Sequence, residues 1–235
     1  MPTLRTPFLM LKQSEPNWCW LATTTSIYNF YMSKTDGAYA SISTEDMFKL
    51  VKNNTDVKAK YDKGGRDFPH KPKDCLSAVD CLAERPGHQT LDWSQDLTGN
   101  ERLGIQSGAR ARDGSLSPAH LKLQQAILRQ PTDSARLKRL KILEAMKAEI
   151  SSDRPVLCCY RPEEGGTGHA MVMVGFNGNE IICKDPMLGE EGQRTLDAVD
   201  VYVTPSGNNV RLVSVCFTQQ PAPKVTEGLA KFFSS

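Results

Sequence analysis

The chain has 235 residues, 39% hydrophobic and 24% charged, which suits one globular domain of two lobes or two small domains. Its 29 basic and 27 acidic residues nearly cancel, so neither nucleic acid nor an anionic membrane is called for as a partner. No apolar run approaches the roughly 20 residues of a membrane span.

The start, Met1-Pro2-Thr3-Leu4-Arg5-Thr6-Pro7-Phe8, lacks the charged-then-apolar layout of a secretory signal. The expected location is the cytoplasm of the producing cell, or a target cell reached without a cleaved signal. Gln13-Ser14-Glu15-Pro16-Asn17-Trp18 reads as a loop leading into a helix at Cys19. Trp20, Thr24, Ile27, Tyr28 and Tyr31 recur at helical spacing over 19–33 and turn one face inward, and Gly37 follows as a stop. Ser43 with Asp46 forms a capping pattern for a second short helix through about Lys52.

Residues 53–117 are rich in Lys, Asp, Gly and Pro, and their best helical candidate lies near 74–84. Gly104 to Ser117 reads as an exposed loop. Ser117-Pro118 supplies an N-cap and a first-turn proline for a helix through Gln130. Another helix starts at Asp133 or Ser134, with Leu137, Leu140, Leu143, Met146 and Ile150 on one face. Its other face, with Arg136, Lys138, Arg139, Lys141 and Lys147, reads as solvated.

From Pro155 the pattern changes to strands at Val156–Tyr160, His169–Phe176, Glu180–Lys184, Val199–Val203 and Val210–Phe217. Helices first and strands later predict an α+β fold. The tail from Gln219 to Ser235 is expected to be ordered only where Leu229, Phe232 and Phe233 dock.

Seven cysteines is an odd number, so at least one thiol stays unpaired within one chain, and a reducing compartment is the simple reading. Cys158, Cys159 and Cys183 lie in apolar runs and read as small core residues. Cys75 and Cys81 with His70 nearby lack the further pair that would complete four zinc ligands, so no metal is expected. Nor is any other cofactor.

Cys19 is the residue with a chemical prospect. A free thiol with pKa about 8.5 is only a few per cent thiolate at neutral pH. A helix N-terminus offers up to about 2 kcal/mol, little more than one pKa unit. An imidazolium must supply the rest. His169, at the head of the most apolar strand, is the best placed of the four histidines; His70, His88 and His120 read as solvated surface residues.

Gln13 six residues before Cys19-Trp20, then Gly168-His169-Ala170 opening an apolar strand, then Asp185-Pro186 after the next strand, resembles the papain-like cysteine proteases. The Trp-Cys-Trp surround and Lys184-Asp185-Pro186 are most similar to the bacterial branch with the AvrRpt2-type effectors and the C39-like peptidases. The resemblance covers 13–33 and about 153–204.

It implies a two-lobed papain-like fold in one catalytic domain. Residues 1–150 would form a helical lobe with a variable insert at about 53–117, and 151–235 an antiparallel β lobe. Cys19 would be the nucleophile, His169 the general base and Asp185 the group orienting the imidazole. Gln13 would donate to the oxyanion together with the Cys19 backbone N–H.

The substrate would be a protein or peptide, and a bacterial effector or toxin role fits that branch. Glutamine deamidation or transamidation uses the same Cys-His-Asp set, and a non-catalytic binding module is the remaining alternative. Many members have Asn where Asp185 stands, and plant and lysosomal members place Cys-Gly-Ser where Pro16-Asn17-Trp18 stand. Only twelve residues precede Gln13, so an inhibitory prosegment is not expected. Restraint would then fall to an inhibitor or immunity protein, unless the chain is a piece of a longer one.

Overall fold

Residue 19 begins a helix that has no solvent side for three turns. The computed structural model describes residues 1–35, 39–83, 91–92, 135–162, 167–198, 202–203 and 209–222. The expectations for Gly37, the 104–117 loop, the 117–130 helix and the docking residues Leu229, Phe232 and Phe233 lie outside them.

Helix α1, Cys19–Thr35, is buried at every position from Cys19 to Tyr31, where the spacing predicted one inward face. Four successive hydroxyls make this affordable. Thr23, Thr24, Thr25 and Ser26 each donate to the carbonyl four residues back, at 2.7, 2.8, 2.7 and 2.8 Å. Each polar group is thus satisfied inside its own helix.

Helix α2, Thr44–Val51, carries the full reciprocal capping box between Ser43 and Asp46. Helix α3, Thr55–Gly64, is capped by the Asn54 side chain and stopped by Gly65 at φ 75°. Helix α4, Pro72–Ala78, opens on a proline and ends before the predicted 84.

The strands are β1 (Leu91–Asp92), β2 (Val156–Pro162), β3 (His169–Asn177), β4 (Glu180–Lys184), β5 (Gln193–Asp197), β6 (Tyr202–Val203) and β7 (Asn209–Phe217), and helix α5 is Ala135–Ser151. They form an antiparallel sheet in the order β1-β7-β2-β3-β4-β5, with β6 also on β7. The fold is α+β, as the change of pattern at Pro155 predicts. Strand β5 was not anticipated, and of the predicted 199–203 strand only Tyr202–Val203 is described as such.

Alternation along the strands sorts the core into two faces. Leu157, Val172, Val174, Ile182 and Cys216 face the aromatic residues of α1 and α2 and Leu76 of α4. Val156, Cys158, Met171, Met173, Cys183 and Phe217 face Leu143, Met146 and Ile150 of α5. The sheet therefore lies between α1–α4 and α5. The N-terminal segment crosses it: Thr3 bridges Gly175, and Leu4 N–H donates to the Val174 carbonyl at 2.8 Å. A Cβ at Gly175 would stand 2.9 Å from the Pro2 carbonyl oxygen, so only glycine admits this crossing.

Candidate active site

Cys19 is the first residue of α1 and 9% exposed. Two tryptophans hold the loop beneath it. Trp18 Nε1 donates to the Arg66 carbonyl at 2.7 Å and Trp20 Nε1 to the Phe68 carbonyl at 3.0 Å. Both rings are buried, stacked on Phe48 and Phe68 respectively. Their work is to fix the start of α1 against residues 66–70.

His169 is the first residue of β3, and Asp185 follows the last residue of β4. Because β3 and β4 are neighbours in the sheet, the two side chains meet: His169 Nε2 lies 2.7 Å from Asp185 Oδ1. Cys19 is close enough to the imidazole to favour its charge. With Nε2 taken by Asp185, Nδ1 is the nitrogen left to face the sulfur.

Asp185 is fully buried and holds two further donors, Met187 N–H on Oδ1 at 2.9 Å and Arg194 Nε on Oδ2 at 2.5 Å. Burial works against its charge, but His169, Met187 and Arg194 outweigh it and hold the carboxyl down at about 2. Burial likewise opposes a charged His169. The hydrogen bond to Asp185 and the neighbouring Cys19 overcome it and push the imidazole up to about 9. At neutral pH the ring is therefore an imidazolium beside the Cys19 sulfur.

Gln13 is brought to the same corner, its backbone N–H donating to the Pro186 carbonyl at 2.8 Å. Its side-chain Nε2 donates to the carbonyls of Pro16 at 2.8 Å and Glu15 at 3.1 Å, while Oε1 is buried without a partner. Both amide protons are thus engaged within the loop.

Residues 6–204 match the family model described as the Peptidase C39-like family. The chain belongs to the Peptidase C39-like family. Membership carries cysteine peptidase activity at the level of the family. A crystal structure of a candidate C39-like peptidase from Bacillus anthracis matches 94% of this chain and 100% of its own length. At 9% identity and a TM-score of 0.35 it carries no argument about the site. No curated protein matches the chain.

Two cavities meet at Cys19 in this C39-like chain. The larger, about 390 Å³, runs between the start of α4 and strands β2, β3 and β7, and includes Lys60, Lys71, Cys159, Arg161 and Ser214. The smaller, about 230 Å³, is lined by Pro16, Asn17, Trp20 and Met187 on the other side. Cys19, His169 and His70 belong to both.

His70 is a correction to its reading as a solvated surface residue. It is half-buried, edge-on to Trp20 with ring centroids 5.1 Å apart, and burial lowers its pKa. No local pattern could have placed it there, since it depends on Trp20 gripping the Phe68 carbonyl. Cys158 and Cys183 are core residues as expected, and Cys159, on the other face of β2, packs partly buried against the helical side of the core while also lining the cleft. All seven cysteines are free thiols.

Proposed function

We propose that the chain hydrolyses amide bonds of protein or peptide substrates through a thioester on Cys19. The observation that carries this is His169 held between the Cys19 thiol and the buried Asp185 carboxylate. The Cys19 thiolate attacks the substrate carbonyl carbon, and the oxyanion forms beside the Cys19 backbone N–H at the start of α1. The imidazolium gives its proton to the amine as the C–N bond breaks, leaving an acyl-thioester and neutral His169. His169 then takes a proton from water, the hydroxide attacks the thioester, and the acid leaves as the thiolate and imidazolium are restored.

Gln13 serves as the second oxyanion donor by trading its hydrogen bond to Pro16 or Glu15 for the substrate oxygen. In the papain-like arrangement this reading implies, residues 1–150 and 151–235 supply the two sides of the cleft, and 53–117 is an insert.

Limiting iodoacetamide at about pH 6, followed by mapping of the label, tests the pair. Burial pushes Cys75, Cys81, Cys158 and Cys159 away from ionisation, so they stay silent at that pH. Cys19 is expected to be alkylated at least about tenfold ahead of the rest, and to lose that lead in His169→Ala. If Cys19 has no lead, the chain is a binding module. Mass spectrometry of offered proteins fixes the reaction: hydrolysis splits the chain and adds water, whereas a product intact and about one mass unit heavier replaces hydrolysis with glutamine deamidation.

A further inference from the structure

The two cavities flanking Cys19 differ in charge. To the Cys19, His70 and His169 that both share, the smaller one adds Pro16, Asn17, Trp20 and Met187, none of them ionisable. The larger one is lined by Lys60, Lys71 and Arg161, and no carboxylate is among its described lining residues. Lys73 lines it too and already holds a partner.

The three cations come from separate elements: Lys60 from α3, Lys71 from the residue before α4, Arg161 from β2. All three are exposed. Lys60 is tethered at the wall, its Nζ donating to the Pro69 carbonyl at 2.7 Å and lying 3.4 Å from His70 Nδ1. Asp56 and Asp74 are near enough to His70 to favour its charge, yet neither lines the cavity. Glu163 and Glu164 lie outside the described residues.

A cleft with low-dielectric walls and one sign of charge concentrates ligands of the opposite sign. Like cations drawn from three elements to one cavity repel one another, a cost that an anionic ligand removes. The smaller cavity shares His70 and His169 with the larger but has no Lys or Arg among its described lining residues, so its attraction is weaker. We infer that the cleft selects substrates with Asp or Glu close to the scissile bond on one side and uncharged residues on the other. This rests on the hydrolase reading of Cys19.

The test uses the native chain and two charge-reversed variants, Lys60→Glu/Lys71→Glu and Arg161→Glu, each checked for folding by its melting temperature. Cys19 is alkylated with anionic iodoacetate and with neutral iodoacetamide at pH 6 and low salt. The ratio of the two rates cancels any change in the reactivity of the sulfur itself. Each protein is also given a proteome-derived peptide mixture, and the residues around every cut are read by mass spectrometry.

The ratio is expected to fall about threefold or more in both variants and in 0.5 M NaCl, since the attraction is electrostatic and open to solvent. Native cuts are expected to be enriched in Asp or Glu within three residues on one side, and the variants to lose that enrichment. A ratio unmoved by both variants, or native cuts with no acidic enrichment, overturns the inference and leaves the hydrolase standing. If neither reagent prefers Cys19 in the native chain, the hydrolase reading falls, and this inference with it.

Discussion

Asp185 ties three donors to two oxygens, and one of them is the imidazole beside Cys19. Its charge keeps the His169 proton in place. His169 is raised above its ordinary 6.5, so the pair's stabilisation is fully present below about 6.5 and is lost as pH rises through about 9. The alkaline limb of kcat/KM is accordingly expected near pH 9. In Asp185→Asn the amide still accepts from Nε2 but the charge is gone. We expect that limb to move toward pH 7 and kcat/KM to fall about tenfold at pH 8. A pH–rate profile of both proteins checks it; an unmoved limb would mean that Asp185 does not govern the imidazole. The residue identities were legible: Cys19, His169 and Asp185 were picked out by residue type and order, and the structure brings them together. His70, Cys159 and the cations of the cleft were not, because none belongs to a local pattern that marks it.

At the scale of elements, the imidazole is aimed by the start of β3. Gly168 precedes His169 where β3 runs beside β2, and a Cβ there would stand 2.9 Å from the Tyr160 carbonyl oxygen, closer than such atoms pack. Gly168→Ala must therefore push His169 off its line to Cys19. We expect a loss of about tenfold or more in kcat/KM against a stability cost of only about 1–2 kcal/mol. Kinetics and urea unfolding on one preparation separate the two, and an unchanged kcat/KM would show that the strands give way without moving the ring. Elements with strong patterns were readable, such as α2 with its capping box and β4 with its exact ends. Two were missed for want of apolar residues: α3 offers chiefly Val57 to the core and β5 Leu196, so neither carries a clear period.

At the scale of the molecule, Asp153 fastens the N-terminal segment and α1 to the turn after α5. Its carboxylate accepts from Arg5 N–H at 2.8 Å, Thr6 N–H at 3.1 Å, the Thr6 hydroxyl at 2.7 Å and Lys34 Nζ at 2.7 Å. Burial opposes the charge, but Lys34, Thr6 and Arg5 hold the carboxyl at about 2. A depressed carboxyl contributes above its unfolded value near 3.8, and the contribution is lost as pH falls to about 2. Asn tolerates the φ of 59° at this position, so Asp153→Asn isolates the charge. It should cost about 2 kcal/mol at pH 7, and the gap to the native chain should close as pH falls from 4 to 2. Urea unfolding at pH 7 and pH 3 measures both; a gap that is the same at both values would assign the loss to packing.

The sequence by itself determined that helices come first and strands last, and that a thiol, an imidazole and a carboxylate stand in the order Cys19, His169, Asp185. Hydrophobic period, caps and motif spacing are local or ordinal properties, written in neighbouring residues. Only the tertiary structure decided that α1 is buried on all sides from Cys19 to Tyr31, that the sheet lies between α1–α4 and α5, and that Lys60, Lys71 and Arg161 share one cavity. Those facts depend on residues far apart in the chain coming to face the same space, as Lys60 and Arg161 do. Burial and electrostatics act through space, and no stretch of chain short enough to show a pattern contains both partners.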